Sequence, residues 1–397
     1  MSPLALTSFT ATSAIGRGLD ATLASLRAQR SGLAPCRFET VSLDTCVGEV
    51  AGIDEVRLPD GLSGFECRNN RLAWLALTQD GFADAVAQRA AHYGSHRMGV
   101  FLGTSTSGIL ETELAYRQRD AQSGALPRGF RYRGAHNTFS LAAFTQRAFE
   151  LAGPAVVISC ACSSSAKVFA SASRAIEAGL IDAAVVGGVD TLCLTTLYGF
   201  HSLQLVARTP CRPFDAARDG ISIGEAAAFA LLERPEGPLD SDEVLLLGTG
   251  ESSDAYHMSA PPPDGRGARA AMLQALEAAR LEPRDIGYIN FHGTGTPSND
   301  AAEGVAVASV LGKDVPGSST KGATGHTLGA AGTLEAVICA LALKAGFLPA
   351  GVNTTQVDPE LPVNYLRENR SAPVTHVMSN SFGFGGSNCS LILARVG

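Results

Sequence analysis

The sequence predicts an α/β fold with helices packed on sheets, and three observations carry that expectation. Short β-branched runs alternate with Ala-rich stretches of helical spacing. Hydrophobic residues make up 45% of the 397 positions and charged residues 17%, which suits a well-buried chain rather than a disordered one. One polar, Pro-rich stretch, Arg234 to Glu243, separates residues 1–235 from 242–397, and each part is long enough for its own core.

Taken in order, Arg97-Met-Gly-Val-Phe-Leu-Gly103 and Pro154-Ala-Val-Val-Ile-Ser159 read as strands. So do Asp182 to Gly187, Ile286 to Phe291 and Val374 to Ser379. Continuous apolar runs of this length fit strands covered on both faces. Ser163 to Gly179, Arg266 to Arg280 and Ala330 to Gly346 carry helical spacing and good helix formers. The Arg/Gly-rich segment from Arg117 to His136 reads as a surface excursion. No internal sequence repeat is visible.

Composition narrows the function. A net charge of −7 argues against a general nucleic-acid binder, which needs a basic face. The start, Met1-Ser-Pro-Leu-Ala-Leu-Thr, has no basic leader, and no apolar run approaches the ~20 residues of a membrane span. Nine scattered cysteines, an odd number, read as reduced thiols of a cytoplasmic protein.

Three blocks carry the chemistry. They are Val156-Val-Ile-Ser-Cys-Ala-Cys162-Ser-Ser-Ser-Ala166, His292-Gly-Thr-Gly-Thr-Pro-Ser-Asn-Asp300 and Lys321-Gly-Ala-Thr-Gly-His326-Thr-Leu-Gly-Ala-Ala-Gly332. Cys162 follows a strand and opens a helix, where free N–H groups and the helix dipole favour a thiolate. The same turn can offer an N–H to an oxyanion. Cys160 reads as still within the strand. His292 heads a Gly-Thr-Gly-Thr turn in which Thr294 and Thr296 supply hydroxyls to a ligand. His326 lies between Gly325 and Gly329 ahead of an Ala/Gly-rich helix. Neutral imidazoles in such places can donate hydrogen bonds to a developing enolate. Zinc binding by this trio is disfavoured, since catalytic zinc sites usually show a closer ligand pair. Lys321 is a charge partner for Glu303, Asp300 or Glu335. The Phe382-Gly-Phe-Gly-Gly-Ser-Asn388 segment reads as a mobile loop gating the Cys162 pocket.

With these blocks on the page, the chain resembles β-ketoacyl-acyl carrier protein synthases of the elongating type, within the thiolase-like superfamily. Arg212-Pro-Phe-Asp-Ala-Ala-Arg-Asp-Gly220, Gly224-Glu225 and Asn380-Ser-Phe-Gly-Phe-Gly-Gly-Ser-Asn388 are similar to further family stretches, and Gly103-Thr-Ser-Thr-Ser-Gly108 more weakly so. The resemblance implies a layered α-β-α-β-α sandwich of two similar halves, 1–235 carrying the cysteine and 242–397 both histidines. It implies decarboxylative condensation of an acyl group on Cys162 with malonyl-acyl carrier protein. His292 and His326 would act on the malonyl thioester, and the N–H groups of Cys162 and Phe384 would form the oxyanion hole. Phe384, supported by Phe382, would gate the acyl pocket. Thr294 and Thr296 would hold the phosphopantetheine arm, while Lys321, Glu303 and Asp300 tune the electrostatics. Asn290, Glu335, Ser379 and Asn380 sit where some relatives bind a monovalent cation.

The resemblance implies no resident cofactor, because the phosphopantetheine arrives on the carrier protein. It also implies a homodimer, or a heterodimer with a non-catalytic homologue. Carrier proteins of this kind are acidic, so a local basic patch is expected, with Arg68, Arg71, Arg131 and Arg133 as its members. The Gly224-Glu-Ala-Ala-Ala-Phe stretch and the Ser-Cys-Ala-Cys-Ser-Ser-Ser lead-in depart from the commoner pattern, which leaves a specialised polyketide or polyene pathway as open as fatty acid synthesis. A cysteine hydrolase is the rival reading, but it would leave the second histidine unused. A non-elongating chain-length subunit is another, and such relatives usually lack the nucleophile.

Overall fold

The computed structural model describes residues 1–237 and 242–396. Part of the Pro-rich stretch read as a boundary, 238–241, lies outside them. Short two-residue strands aside, the main sheet takes five strands from each side of it among the described residues, the first five being β1 (Leu4–Ser13), β2 (Met98–Gly103), β3 (Ala155–Ile158), β4 (Ala183–Asp190) and β5 (Ala226–Glu233). They lie in the order β3-β2-β4-β5-β1. Five follow it: β6 (Val244–Ser253), β7 (Tyr288–Asn290), β8 (Pro316–Ser318), β9 (His376–Gly383) and β10 (Ser387–Arg395), in the order β8-β7-β9-β10-β6. The two orders are the same permutation. In each set the first two pairings are parallel and the last two antiparallel. The sets join edge to edge, antiparallel, through Leu4↔Leu246 and Ala5↔Leu245.

Helices complete five layers. Helices α1 (Arg68–Leu77), α2 (Phe82–Tyr93) and α3 (Ser140–Ala148) cover the outer face of the first strand set. Helices α4 (Ser164–Glu177), α5 (Leu194–Ser202), α6 (Arg266–Ala279), α7 (Pro297–Leu311) and α8 (Ala331–Ala345) follow. Of these, α6 with α7 beside it covers the outer face of the second set, whereas α4 and α8 touch strands of both sets and each other. They form the central layer of an α-β-α-β-α sandwich, as expected.

The central layer explains why α8 is small-residue and apolar nearly all round, whereas α4 keeps Lys167, Arg174 and Glu177 on its outward side. Only Lys344 and Ala345 of α8 escape full burial. A helix apolar on every side is a core helix or a membrane span; the stretch Leu328–Ala345 is long and apolar enough for either, and it lies buried in the protein core. A Cβ at Gly332 would fall 2.4 Å from the Ala166 nitrogen, so glycine is what lets α8 approach α4. The crossing is fixed by Thr333 N–H donating to Ser165 Oγ at 2.9 Å and Thr333 Oγ1 donating to the Ser165 carbonyl at 3.1 Å. Each helix starts just after a candidate catalytic residue, so this contact brings Cys162 and His326 together.

The five expected strands and three expected helices form, with three differences. β3 is only half-buried, because it is the sheet edge. β3 ends at Ile158, so Cys160 belongs to the turn, not the strand. β9 runs on to Gly383 and pairs with β10 through Phe382↔Asn388 and Gly383↔Ser387. The glycine segment is therefore a tight hairpin turn, with Gly385 and Gly386 both at φ 77°, rather than a long mobile loop.

Candidate active site

Cys162 lies one residue before the N-cap of α4 and follows Ala161, whose φ of 58° turns the chain sharply out of β3. It is 4% exposed. Across the layer, the Phe384 N–H faces its thiol. Burial pushes the thiol up to about 11, while Lys321 and the Phe384 N–H pull it down and Asp190 pushes it further up. The helix start expected to favour a thiolate thus acts against desolvation of the same sulfur.

His326 Nε2 lies 3.1 Å from Cys162 Sγ. The Leu328 N–H donates to His326 Nδ1 at 3.2 Å, so Nδ1 is an acceptor and the ring proton sits on Nε2. His292 is arranged alike. Its Nδ1 lies 3.4 Å from Lys321 Nζ, and an ammonium only donates, so again Nε2 carries the proton. The two rings stand edge to face at 5.3 Å. Burial holds both imidazoles well below their ordinary value, helped by Lys321 and, for His292, by His326. Both are thus neutral donors, His326 against the thiol and His292 with a ring nitrogen within 4.8 Å of it.

The sulfur and two ring nitrogens lie within 4.8 Å of one another, close enough for a metal by distance alone. Their proton positions argue otherwise, since a metal needs the Nε2 lone pairs.

Lys321 is 1% exposed and its three donors are all used: by His292 Nδ1, by the His292 carbonyl at 2.6 Å and by Glu335. Of its three candidate partners, Glu335 is the one it meets. Burial raises the Glu335 carboxyl to about 7, with Lys321 opposing. Glu303 and Asp300 do different work. Glu303 accepts the N–H groups of His292 at 2.7 Å and Gly293 at 2.8 Å. Asp300 accepts those of Thr294, Gly295 and Phe214. The Gly-Thr-Gly-Thr backbone is therefore gripped by two carboxylates projecting from the first turns of α7. Burial raises Glu303 to about 7, its backbone donors opposing.

A cleft of about 590 Å³ leads in to Cys162, His292 and His326. Thr294 and Thr296 line it, their hydroxyls 2.9 Å apart, as do Phe382 and Phe384. Phe200 on α5 also lines it and meets Phe384 at 5.5 Å between ring centres. No motif marks Phe200 in the sequence. The hairpin turn is tied to the segment beyond β6 by Gly385 N–H donating to the Met258 carbonyl and Asp254 N–H to the Gly386 carbonyl.

Of the four residues noted for a monovalent cation, three offer buried side-chain oxygens. Glu335 Oε2 is a buried oxygen without a hydrogen-bond partner, while Asn290 and Ser379, also buried, lie against the Tyr288 hydroxyl and the Cys339 thiol. Asn380 does not fit: its amide donates to Glu303 and its carbonyl accepts from Ser390.

The docking arginines divide. Arg68 is 5% exposed and bound to Glu225, which is fully buried, at 2.7 Å, with Glu49 and Asp54 beyond. A guanidinium so enclosed has no face for a partner, which corrects its assignment to a docking patch. Arg71 is partly exposed but pairs with Glu66 and Asp54. Arg131 and Arg133 are exposed on the excursion between β2 and β3.

Comparison with known proteins agrees with this geometry. Residues 1–237 match the family described as beta-ketoacyl synthase, N-terminal domain, and 244–355 its C-terminal domain. The chain is 32% identical over 314 residues to 3-oxoacyl-[acyl-carrier-protein] synthase 2 of Staphylococcus aureus, covering 75% of each. It is 37% identical over 248 residues to the Mycobacterium bovis protein of that name, covering 59% of this chain and 60% of that one. Among solved structures, the ketosynthase ApeO in complex with its chain length factor ApeC from Xenorhabdus doucetiae superposes with a TM-score of 0.89 at 39% identity, covering 99% and 98% of the two chains. A beta-ketoacyl synthase from Burkholderia phymatum gives 0.88 at 32%, over 100% of both. A buried thiol under two Nε2–H donors, in a fold of two like halves matched along most of its length, places this chain in the β-ketoacyl synthase family.

Proposed function

We propose that the chain condenses an acyl group on Cys162 with malonyl-acyl carrier protein, releasing carbon dioxide and a β-ketoacyl-acyl carrier protein. The observation that carries this is the pair of Nε2–H donors converging on the thiol. In the first half-reaction Cys162 Sγ attacks the acyl thioester. The Phe384 N–H stabilises the oxyanion, and the thiol proton leaves with the departing phosphopantetheine sulfur. His326 cannot take that proton in the tautomer held by Leu328. In the second half-reaction both histidines donate to the malonyl thioester oxygen. The carbon–carboxylate bond breaks, carbon dioxide departs and the electron pair is held as the enolate. The enolate carbon attacks the acyl carbonyl on Cys162, and collapse expels the thiolate, which regains a proton.

Thr294 and Thr296 hold the phosphopantetheine arm, and Phe384 with Phe382 gates the acyl pocket. The division near 235–242 separates the half that supplies the cysteine from the half that supplies the histidines. A monovalent cation held by Asn290, Glu335 and Ser379 would anchor Glu335, and through it Lys321 and His292. Carrier protein docks near Arg131 and Arg133, in a segment that also carries Arg117, Arg119 and Arg128. The chain works in the cytoplasm as a dimer with a second copy or a homologous chain-length subunit. The half-exposed edge β3 and the exposed Phe139 support that reading.

Intact-mass measurement after incubation with acyl-carrier protein tests the assignment. Cys162→Ala is expected to gain no acyl mass, and His326→Ala to gain it while losing malonyl decarboxylation. An acylated Cys162→Ala protein would refute it.

A further inference from the structure

Asp190 ends β4, is fully buried and forms no ion pair among the described residues. A buried carboxylate needs compensation, and this one has six donors. Thr104 Oγ1 donates at 2.7 Å, Ser105 N–H at 2.8 Å and Ser105 Oγ at 2.5 Å. Thr106 N–H follows at 2.8 Å and Thr106 Oγ1 at 2.9 Å. These five come from the turn after β2. The sixth comes from the other half of the chain: Gly329 N–H donates at 2.6 Å.

That last contact lies beside the catalytic pair. Gly329 follows Leu328, the residue whose N–H fixes His326 Nδ1 as an acceptor. Leu328 has a φ of 52°, a region a branched side chain enters only when its surroundings hold it there. A Cβ at position 329 would meet Asp190 Oδ2 at 2.7 Å and Ser105 N at 2.8 Å, so the turn closes on the carboxylate only with glycine.

We infer that Asp190 is a positioning residue for the decarboxylation step: by gripping Gly329 it holds Leu328 in its turned conformation and thereby keeps His326 an Nε2–H donor. This rests on the role proposed above for His326. Without the grip, Leu328 relaxes, its N–H leaves Nδ1 and the ring proton is free to move to the nitrogen facing away from the substrate. Acylation of Cys162 does not use that proton. The donor is needed only when the malonyl enolate forms.

Asp190→Asn tests this with little change in volume. Oδ1 receives the Ser105 and Thr106 N–H groups and Oδ2 the Gly329 N–H, so an amide NH₂ at either end opposes a backbone donor that cannot accept. Malonyl decarboxylation is expected to fall on the order of 100-fold, the scale of losing one oxyanion donor. Acylation of Cys162 is expected not to fall, since losing the Asp190 charge removes a neighbour that pushes the thiol up. Gly329→Ala, which keeps the carboxylate but pushes the contact apart, is expected to show the same split. Nitrogen-15 NMR of histidine-labelled wild-type protein provides a reading that needs no variant, and His326 is expected to be protonated at Nε2. Equal losses in both half-reactions, unchanged decarboxylation, or a wild-type His326 protonated at Nδ1 would each overturn the inference. His326→Ala keeps the two readings apart: if it decarboxylates normally, the condensation mechanism fails whatever the Asp190 variant does.

Discussion

The proposed nucleophile, Cys162, is held toward its thiol form by burial. Its sulfur is buried, and the nearby positive charge of Lys321 is already engaged with Glu335 and the His292 carbonyl. Burial is expected to win, and the sign of the effect is testable. The thiol is held above its ordinary value of 9, at about 11, so the anion fraction keeps growing well beyond neutral pH. Alkylation of Cys162 by neutral iodoacetamide is expected to rise about tenfold per pH unit from 7 to 10 without levelling, since only the thiolate reacts. A plateau near pH 7 would show that the helix start and Lys321 dominate instead. The residues of this reaction were legible because each sits in a short motif with glycines on either side. Phe200 and Asp190 were not, because they meet the site from α5 and β4 without any local signature.

At the scale of elements, the arginines show what a sequence pattern conceals. Arg68 opens α1, where an exposed cation would be unremarkable, yet α1 lies against β4 and β5. That contact turns Arg68 inward to Glu225, which also accepts the Val50 and Leu192 N–H groups. Arg68→Ala would leave a fully buried carboxylate without its cation. A loss of about 3–5 kcal/mol is expected in chemical denaturation, with carrier-protein affinity unchanged in whatever fraction remains folded. A fall in affinity without loss of stability would restore Arg68 to the docking surface. The hairpin β9–β10 teaches the same lesson. Its glycines pointed to a loop, but the cross-strand register carries both strands to within a few residues of the tip and leaves only Phe384-Gly-Gly as the turn.

Across the whole molecule, two strand sets of one topology enclose two helices, and that duplication has left no readable sequence repeat. Side chains on the two sets have diverged, because one set supplies a thiol and the other two imidazoles. Strand order and direction persist, because they are fixed by backbone pairing. The free edge of this assembly is β3, four apolar residues that are each half-buried. Apolar edges of this kind are protected by pairing. Val157→Lys is expected to shift the protein from dimer to monomer in sedimentation velocity, with the monomer keeping its fold by circular dichroism. An unchanged dimer would place the interface elsewhere.

The sequence by itself determined the α/β class, the main strands and helices, and which cysteine and histidines to look at, since each is encoded within a dozen contiguous residues by periodicity or by a glycine-flanked motif. Only the tertiary structure decided which carboxylate meets Lys321, which arginines face water, where the protons sit on the histidines and that Asp190 reaches across to the His326 turn. Those are contacts between residues far apart in the chain. They depend on how the layers stack, and burial then settles the charge of each group that is brought together.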